Sequence, residues 1–217
     1  MTSLPDNILH LPEYHILDIK DKEHDLHFRL EAPHPVACEE CGVEGEFVRF
    51  GKRDVAYRDL PIHGKRVTLW VVRRRYTCRA CGKTFRPTLP EMEDTHRMTR
   101  RLYSYVEKEA FNHPYAYVAD STGLDEKTVR EIFKKKAEFL GRWHRFETPR
   151  CLGIDELYLN RRYRCILTNL EERTLLDLLP GRQQEAVTKR LMSMAERNQV
   201  EIVSMDMWKP YRRAVQA

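Results

Sequence analysis

Hydrophobic and polar positions change period several times along the chain, and each change predicts an element. Residues 14–19 and 26–30 alternate, with the polar stretch 20–25 between them, which predicts a β-hairpin. Residues 46–50 and 67–76 are partly β-branched or aromatic, and the stretch Pro61-Ile62-His63-Gly64 predicts a turn between two strands. Residues 98–140 switch to helical spacing. Leu102, Tyr105, Val106 and Ala110 mark a first helix with Thr99 as its cap, and Tyr115, Val118 and Ala119 a second after His113-Pro114. Val129, Ile132, Phe133, Ala137 and Leu140 form the stripe of a third. Gly123 suits the end of the second helix and Asp125 the cap of the third.

After Pro149 the alternation returns. Strands are expected at 151–159, 163–170, 174–179 and 200–205, with an amphipathic helix at 183–198 and a helix start at 209–217, Pro210 in its first turn. The order β-β-β-α-β-α predicts a mixed sheet. Proline-marked junctions at 87–94 and 147–149 divide the chain into three segments. The expectation is an α+β, multi-domain protein: a β-hairpin and cysteine module over 1–90, a helical bundle over 91–148 and a sheet-containing domain over 149–217.

The 217 residues are 41% hydrophobic, enough for folded cores, and no apolar run reaches the length of a membrane-spanning helix. The N-terminus has no basic start followed by an apolar stretch, so a cytoplasmic protein without a membrane partner is expected. Net charge is +5, from 38 basic and 33 acidic residues, spread evenly over the three segments. Charge of that kind permits an acidic partner without identifying one, so motifs must carry the functional reading.

Four of the six cysteines form two matching knuckles, Cys38-Glu-Glu-Cys41-Gly and Cys78-Arg-Ala-Cys81-Gly. Each Cys-x-x-Cys turn aims two sulfurs at one point, and the following glycine permits a positive φ. Together they predict a closed, structural Zn site of four thiolates. The alternatives are disulfides, which belong to exported proteins, a redox pair, against which the duplication with matching glycines argues, and buried free thiols. Cys151 and Cys165 read as core residues.

Arg73, Arg74 and Arg75 lead into the second knuckle. On a strand they alternate between faces, either to touch phosphate or to blunt a solvated edge. The glycine turn and capped basic helix at 121–136 resemble a helix-turn-helix, whose second helix would present Lys127, Thr128, Arg130 and Lys134 to the major groove of double-stranded DNA. The alternative is a generic bundle with a solvated lysine face. Asp155 at the centre of one strand and Asp206 at the end of another could face each other if those strands are parallel neighbours, an arrangement that suits Mg²⁺; the alternative is that they are lone aspartates acting only as caps.

Taken together, the knuckles, Arg73-Arg74-Arg75-Tyr76-Thr77-Cys78, Gly82-Lys83-Thr84-Phe85, Thr99-Arg100-Arg101-Leu102, Gly153-Ile154-Asp155-Glu156, Leu179-Pro180-Gly181-Arg182 and Asp206-Met207-Trp208-Lys209-Pro210-Tyr211 resemble the bacterial insertion-sequence transposases of the DDE class with an N-terminal zinc finger, the ISL3 family. The resemblance implies a partial RNase H-like domain over 149–217, binding of terminal inverted repeats, and Mg- or Mn-dependent strand cleavage and transfer. It also implies a homo-oligomer in the complete protein. It matches Asp155 and Asp206 to the first two catalytic aspartates, and Arg182 and Trp208 to motif positions without a chemical role. The third acid, a glutamate on a later helix, has no counterpart, since residues 207–217 hold no Asp or Glu. The expectation is therefore a transposase truncated after its second aspartate. The alternative is a catalytically dead DNA-binding module acting as a repressor or relic.

Overall fold

The computed structural model describes residues 9–143 and 146–217, in two compact units that divide between Arg142 and Trp143. The first unit contains β1 (His15–Asp21), β2 (Asp25–Glu31), β3 (Phe47–Ile62), β4 (Lys65–Cys78) and the short strands β5 (Thr84–Phe85), β6 (Met92–Glu93) and β7 (Met98–Thr99). They form one mixed sheet in the order β1-β2-β4-β3-β7-β6, with β5 on the far end of β4. The β3–β4 hairpin is its spine. His63 and Gly64 both have positive φ, 53° and 76°, the geometry of a two-residue type I′ turn whose twist matches that of the strands. β3 runs well beyond the short strand its apolar residues predict, because the exposed charged stretch 52–54 stays paired with β4 and Val55, Tyr57 and Asp59 turn inward beyond it. Phe28, Leu30, Tyr57, Val67, Leu69 and Val71 form the buried core of this sheet.

Three helices follow: α1 (Arg100–Glu109), α2 (Tyr115–Thr122) and α3 (Glu126–Trp143). Thr99 caps α1 through its hydroxyl, which accepts from Leu102 N at 3.3 Å. Gly123 closes α2 in the left-handed region at φ 72°, and the Asp125 carboxylate accepts from Thr128 N at 2.9 Å to start α3. Met98, Leu102, Val106, Val118, Val129 and Ile132 are buried together. Leu140, expected on the buried stripe of α3, is 45% exposed. The reason is length: α3 has 18 residues while α1 and α2 have 10 and 8, so its last turns run past the helices that cover its start.

The two segments expected over 1–90 and 91–148 are joined within this one unit. β7 pairs with β3 at Arg58 and Met98. Beside that pair the fully buried Asp59 accepts from Thr99 Oγ1 at 2.7 Å and from the Arg101 guanidinium, fastening α1 to β3.

The second unit contains β8 (Cys151–Leu159), β9 (Arg162–Asn169), β10 (Thr174–Leu178), α4 (Gln184–Met192), a 3-10 turn at Arg197–Gln199, β11 (Ile202–Met205) and α5 (Lys209–Gln216). Its sheet order is β10-β9-β8-β11, with β8 and β11 parallel and the other pairs antiparallel. Asn160 and Arg161, both at positive φ, close the β8–β9 hairpin as another I′ turn. Leu152, Ile154, Cys165, Leu167, Leu176, Val187 and Tyr211 are buried on the face that α4 and α5 cover. The helix expected over 183–198 stops at Met192. There the Ser193 hydroxyl donates back to Arg190 O at 2.7 Å, and Glu196 sits at φ 52°, so Met194 and Ala195 lie outside it.

Candidate functional site

The two knuckles fold alike. In the first, Gly42 N donates to Cys38 O at 2.8 Å and Cys38 N to Val43 O at 2.9 Å. In the second, Gly82 N donates to Cys78 O at 3.0 Å and Cys78 N to Lys83 O at 2.9 Å. Gly42 and Gly82 have φ of 75° and 69°, the conformation the sequence assigns to them. β3 and β4 pair Phe47 with Cys78, which brings the second knuckle up to the first.

All four Sγ atoms lie within 4.8 Å of one another, with Cys38–Cys81 at 4.0 Å and Cys41–Cys78 at 3.7 Å. A tetrahedron with Zn–S bonds of about 2.3 Å has sulfur–sulfur edges of about 3.8 Å. The donor set and spacing therefore fit zinc, and four thiolates leave no open position for a substrate. Without an ion the four thiols share their protons unequally: the backbone N–H of Cys81 draws Cys78 down to about 7, while Cys41, desolvated against the other three sulfurs, is pushed up to about 12. Phe47, Tyr76 and Phe85 pack ring to ring at 5.5–5.8 Å beneath the cluster.

The arginines before the second knuckle have separate fates. Arg73, with only 12% of its side chain exposed, pairs with Asp94 at 2.9 Å and donates to Tyr57 Oη at 3.2 Å. Arg74 pairs with Glu31 at 2.5 Å and holds that carboxyl below its ordinary value. Arg75 lies over the Phe50 ring at 4.5 Å and has no ion pair among the described residues.

On α3, Lys127, Arg130 and Lys134 are exposed in i,i+4 contacts with Glu131, Glu126 and Glu138 at 4.0, 2.6 and 3.8 Å. Exposed pairs of this kind contribute only ~0.3–0.5 kcal/mol, so the cations remain exchangeable toward another anion. The Thr128 hydroxyl is instead turned onto Asp125 at 2.7 Å.

In the second unit, β8 and β11 pair Ile154 with Met205. Asp155 and Asp206 each follow a member of that pair. Both carboxylates are exposed, and each accepts from the next backbone N–H, Glu156 N at 2.7 Å and Met207 N at 2.6 Å. The fold brings the two aspartates to one level of adjacent parallel strands. Among the described residues no metal-ligating group of three or more contains either of them, the cysteine cluster being the one such group.

Behind Asp155, Glu156 turns to the helix-covered face and pairs with Arg182 at 2.5 Å. The Arg182 guanidinium lies 4.4 Å from the Tyr163 ring and 4.8 Å from the Trp208 ring. Trp208 packs edge-on against buried Tyr211 at 4.9 Å. The motif residues Arg182 and Trp208 thus form one stack that links the ends of β8, β9 and β11. Neither periodicity nor charge signals that stack, because its members lie up to 52 residues apart.

The first unit thus carries a four-cysteine ribbon on a β-hairpin with a helical segment fastened to it, and the second a mixed sheet with one aspartate within β8 and another just after its parallel neighbour β11. Residues 34–81 match the family described as the zinc-finger of transposase IS204/IS1001/IS1096/IS1165, and residues 152–217 match the ISL3 DDE family described as Transposase. These two matches, together with the relative below, support an ISL3-family DDE transposase with an N-terminal zinc ribbon. The chain is 28% identical over 185 residues to the transposase for insertion sequence element IS1001 of Bordetella parapertussis, an alignment covering 83% of this chain and 45% of that relative. The chain therefore spans less than half the length of that relative.

Proposed function

We propose that this chain is the DNA-recognising and first catalytic portion of a transposase that acts in the bacterial cytoplasm on the terminal inverted repeats of its own insertion sequence. In this reading the zinc ribbon is a rigid platform. α2, the Gly123 turn and α3 act as a helix-turn-helix with Lys127, Arg130 and Lys134 toward duplex DNA, while Thr128 holds the start of α3. Arg75 adds a contact from the ribbon. Arg73 and Arg74 brace it through Asp94 and Glu31.

The second unit supplies Asp155 and Asp206 to an RNase H-like core. The observation that carries this reading is the parallel pairing of β8 with β11, one residue before each aspartate. When bound there, Mg²⁺ or Mn²⁺ stabilises the attacking and leaving oxygens of phosphoryl transfer. The backbone N–H of Glu156 and of Met207 fixes one oxygen of each carboxylate, and Asp155 and Asp206 would hold the ion through their remaining oxygens. The Glu156–Arg182–Trp208 stack holds the strand ends in register. A further carboxylate and assembly into a homo-oligomer complete the active form.

Titration with Mn²⁺, followed by paramagnetic broadening of backbone amide signals, tests the catalytic part. Broadening centred on 155–156 and 206–207 that disappears in Asp155→Asn is the expected result. Broadening that ignores the substitution refutes the assignment.

A further inference from the structure

Residues 51–90 hold eleven Lys and Arg against two Asp. Several of these cations are matched by acids elsewhere in the unit: Lys65 by Asp21, Arg66 by Asp25, Arg74 by Glu31, Lys83 by Glu40 and Arg73 by Asp94. Lys52, Arg53, Arg75 and Arg86 have no ion pair among the described residues, and all four line one cleft of about 190 Å³ with Phe50, Gly51 and Arg73. No acidic side chain lines it.

A β-bulge builds this cleft. Arg49 pairs with Tyr76 and Lys52 with Arg74, so Phe50 and Gly51 both stand opposite Arg75. Gly51 has φ 108°, and a Cβ there would meet nothing within 4 Å, so the backbone on that side is open to approach. Below the bulge, Lys52 lies across from Arg74 and Arg53 across from Arg73. Like charges directly opposite on neighbouring strands destabilise a sheet. Glu31 and Asp94 offset Arg74 and Arg73, and nothing among the described residues offsets Lys52 and Arg53. Arg75 is held in place by the Phe50 ring, so little freedom is lost when it meets an anion. The Nε of Arg73, in the inner wall, has no hydrogen-bond partner.

We infer that this bulge cleft is a phosphate site in which Lys52, Arg53, Arg75 and Arg86 grip consecutive phosphates of a nucleic-acid backbone. The inference rests on the DNA-binding reading above and adds to it a sequence-independent anchor separate from α3. Phosphate contacts of this kind fix register without reading bases.

The test uses the full chain, zinc-loaded, and a Lys52→Ala/Arg53→Ala/Arg86→Ala variant whose zinc content matches the parent and whose melting temperature is no lower. Binding to a terminal-repeat duplex and to a scrambled duplex is measured over a range of salt, and protection against thermal unfolding is measured with inorganic pyrophosphate. The variant is expected to bind both duplexes more weakly by a similar factor, about tenfold or more, with the salt slope reduced by about 0.9 for each lost phosphate contact. If the parent binds duplex and the variant keeps its slope, the cleft is refuted while the DNA reading stands. If the parent binds no duplex, the DNA reading falls. Pyrophosphate protection that vanishes in the variant would then keep the cleft as a phosphate site, and its absence would remove that too. An Arg75→Lys chain that binds as the parent does would show that the stack on Phe50 is unnecessary, and would overturn that part of the inference.

Discussion

Asp59 is a charged side chain with no exposure, and it is tolerable there because Thr99 and Arg101 both donate to it. Removing one partner of such a pair leaves the other charge buried and costs about 3–5 kcal/mol. Arg101→Leu is therefore expected to lower the urea stability of the first unit by at least ~3 kcal/mol, and Asp59→Asn in the same chain to restore part of the loss. Equal stability of Arg101→Leu and the parent would contradict this. In the sequence, Asp59 stands between Arg58 and Leu60 with no local mark of burial, and its partner Arg101 is 42 residues away. Periodicity reports which face a residue occupies only along its own element, so long-range pairs of this kind stay hidden. Gly153 is a second case. A Cβ there would lie 2.3 Å from Thr168 Oγ1 and 2.8 Å from a Leu170 methyl. Gly153→Ala should cost about 1–3 kcal/mol, as overpacking does. Thr168→Ala should recover some of it, which chemical denaturation of the double variant can measure.

Among the elements, the knuckles were the most legible. Ligand spacing and glycine conformation are local, and the structure realises both. The strands and helices around them were legible where period and caps agreed, as at Thr99 and Asp125. The extent of β3, the parallel pairing of β2 with β4 and the early end of α4 were not, because neighbouring strands, rather than local propensity, decide them. For the ribbon, Cys78→Ser is expected to abolish zinc retention and unfold the β3–β4 end, since metal binding is part of its folding free energy. Full zinc content with an unchanged melting curve would refute the four-thiolate site. Zinc should also be released on acidification, as protons compete for the thiolates. At α3, the Thr128 hydroxyl and N–H hold the Asp125 carboxyl below its ordinary value of 3.8. A lowered carboxyl pKa stabilises the fold above its unfolded value, and that stability is lost as pH falls through the folded value. The cap should therefore be fully present at neutral pH and weaken only below about pH 4. Asp125→Ala should cost ~1 kcal/mol at pH 7 and less in acid.

At the scale of the whole molecule, the two units divide the proposed tasks. The first has the zinc ribbon, the exchangeable cations of α3 and the bulge cleft. The second brings two aspartates to one level of adjacent parallel strands, Asp155 within β8 and Asp206 just after β11. That convergence was conditional in the sequence: both aspartates could be marked, but their meeting depended on β8 and β11 being parallel neighbours. With two carboxylates and no third ligand among the described residues, a two-ion site lacks the groups that fix both ions. The chain incubated with Mn²⁺ and a terminal-repeat duplex should leave the strands intact. Cleavage that disappears in Asp155→Asn would contradict this. The central claim, that the first unit is a zinc-dependent reader of one DNA sequence, is tested most directly by footprinting. The zinc-loaded chain and the same chain stripped by a chelator are each applied to the element's terminal repeat and to a scrambled duplex of equal composition. The account predicts a discrete protected stretch on the repeat alone, weakening with salt and lost with the zinc. Equal protection of both duplexes, or protection that survives zinc removal, would contradict it.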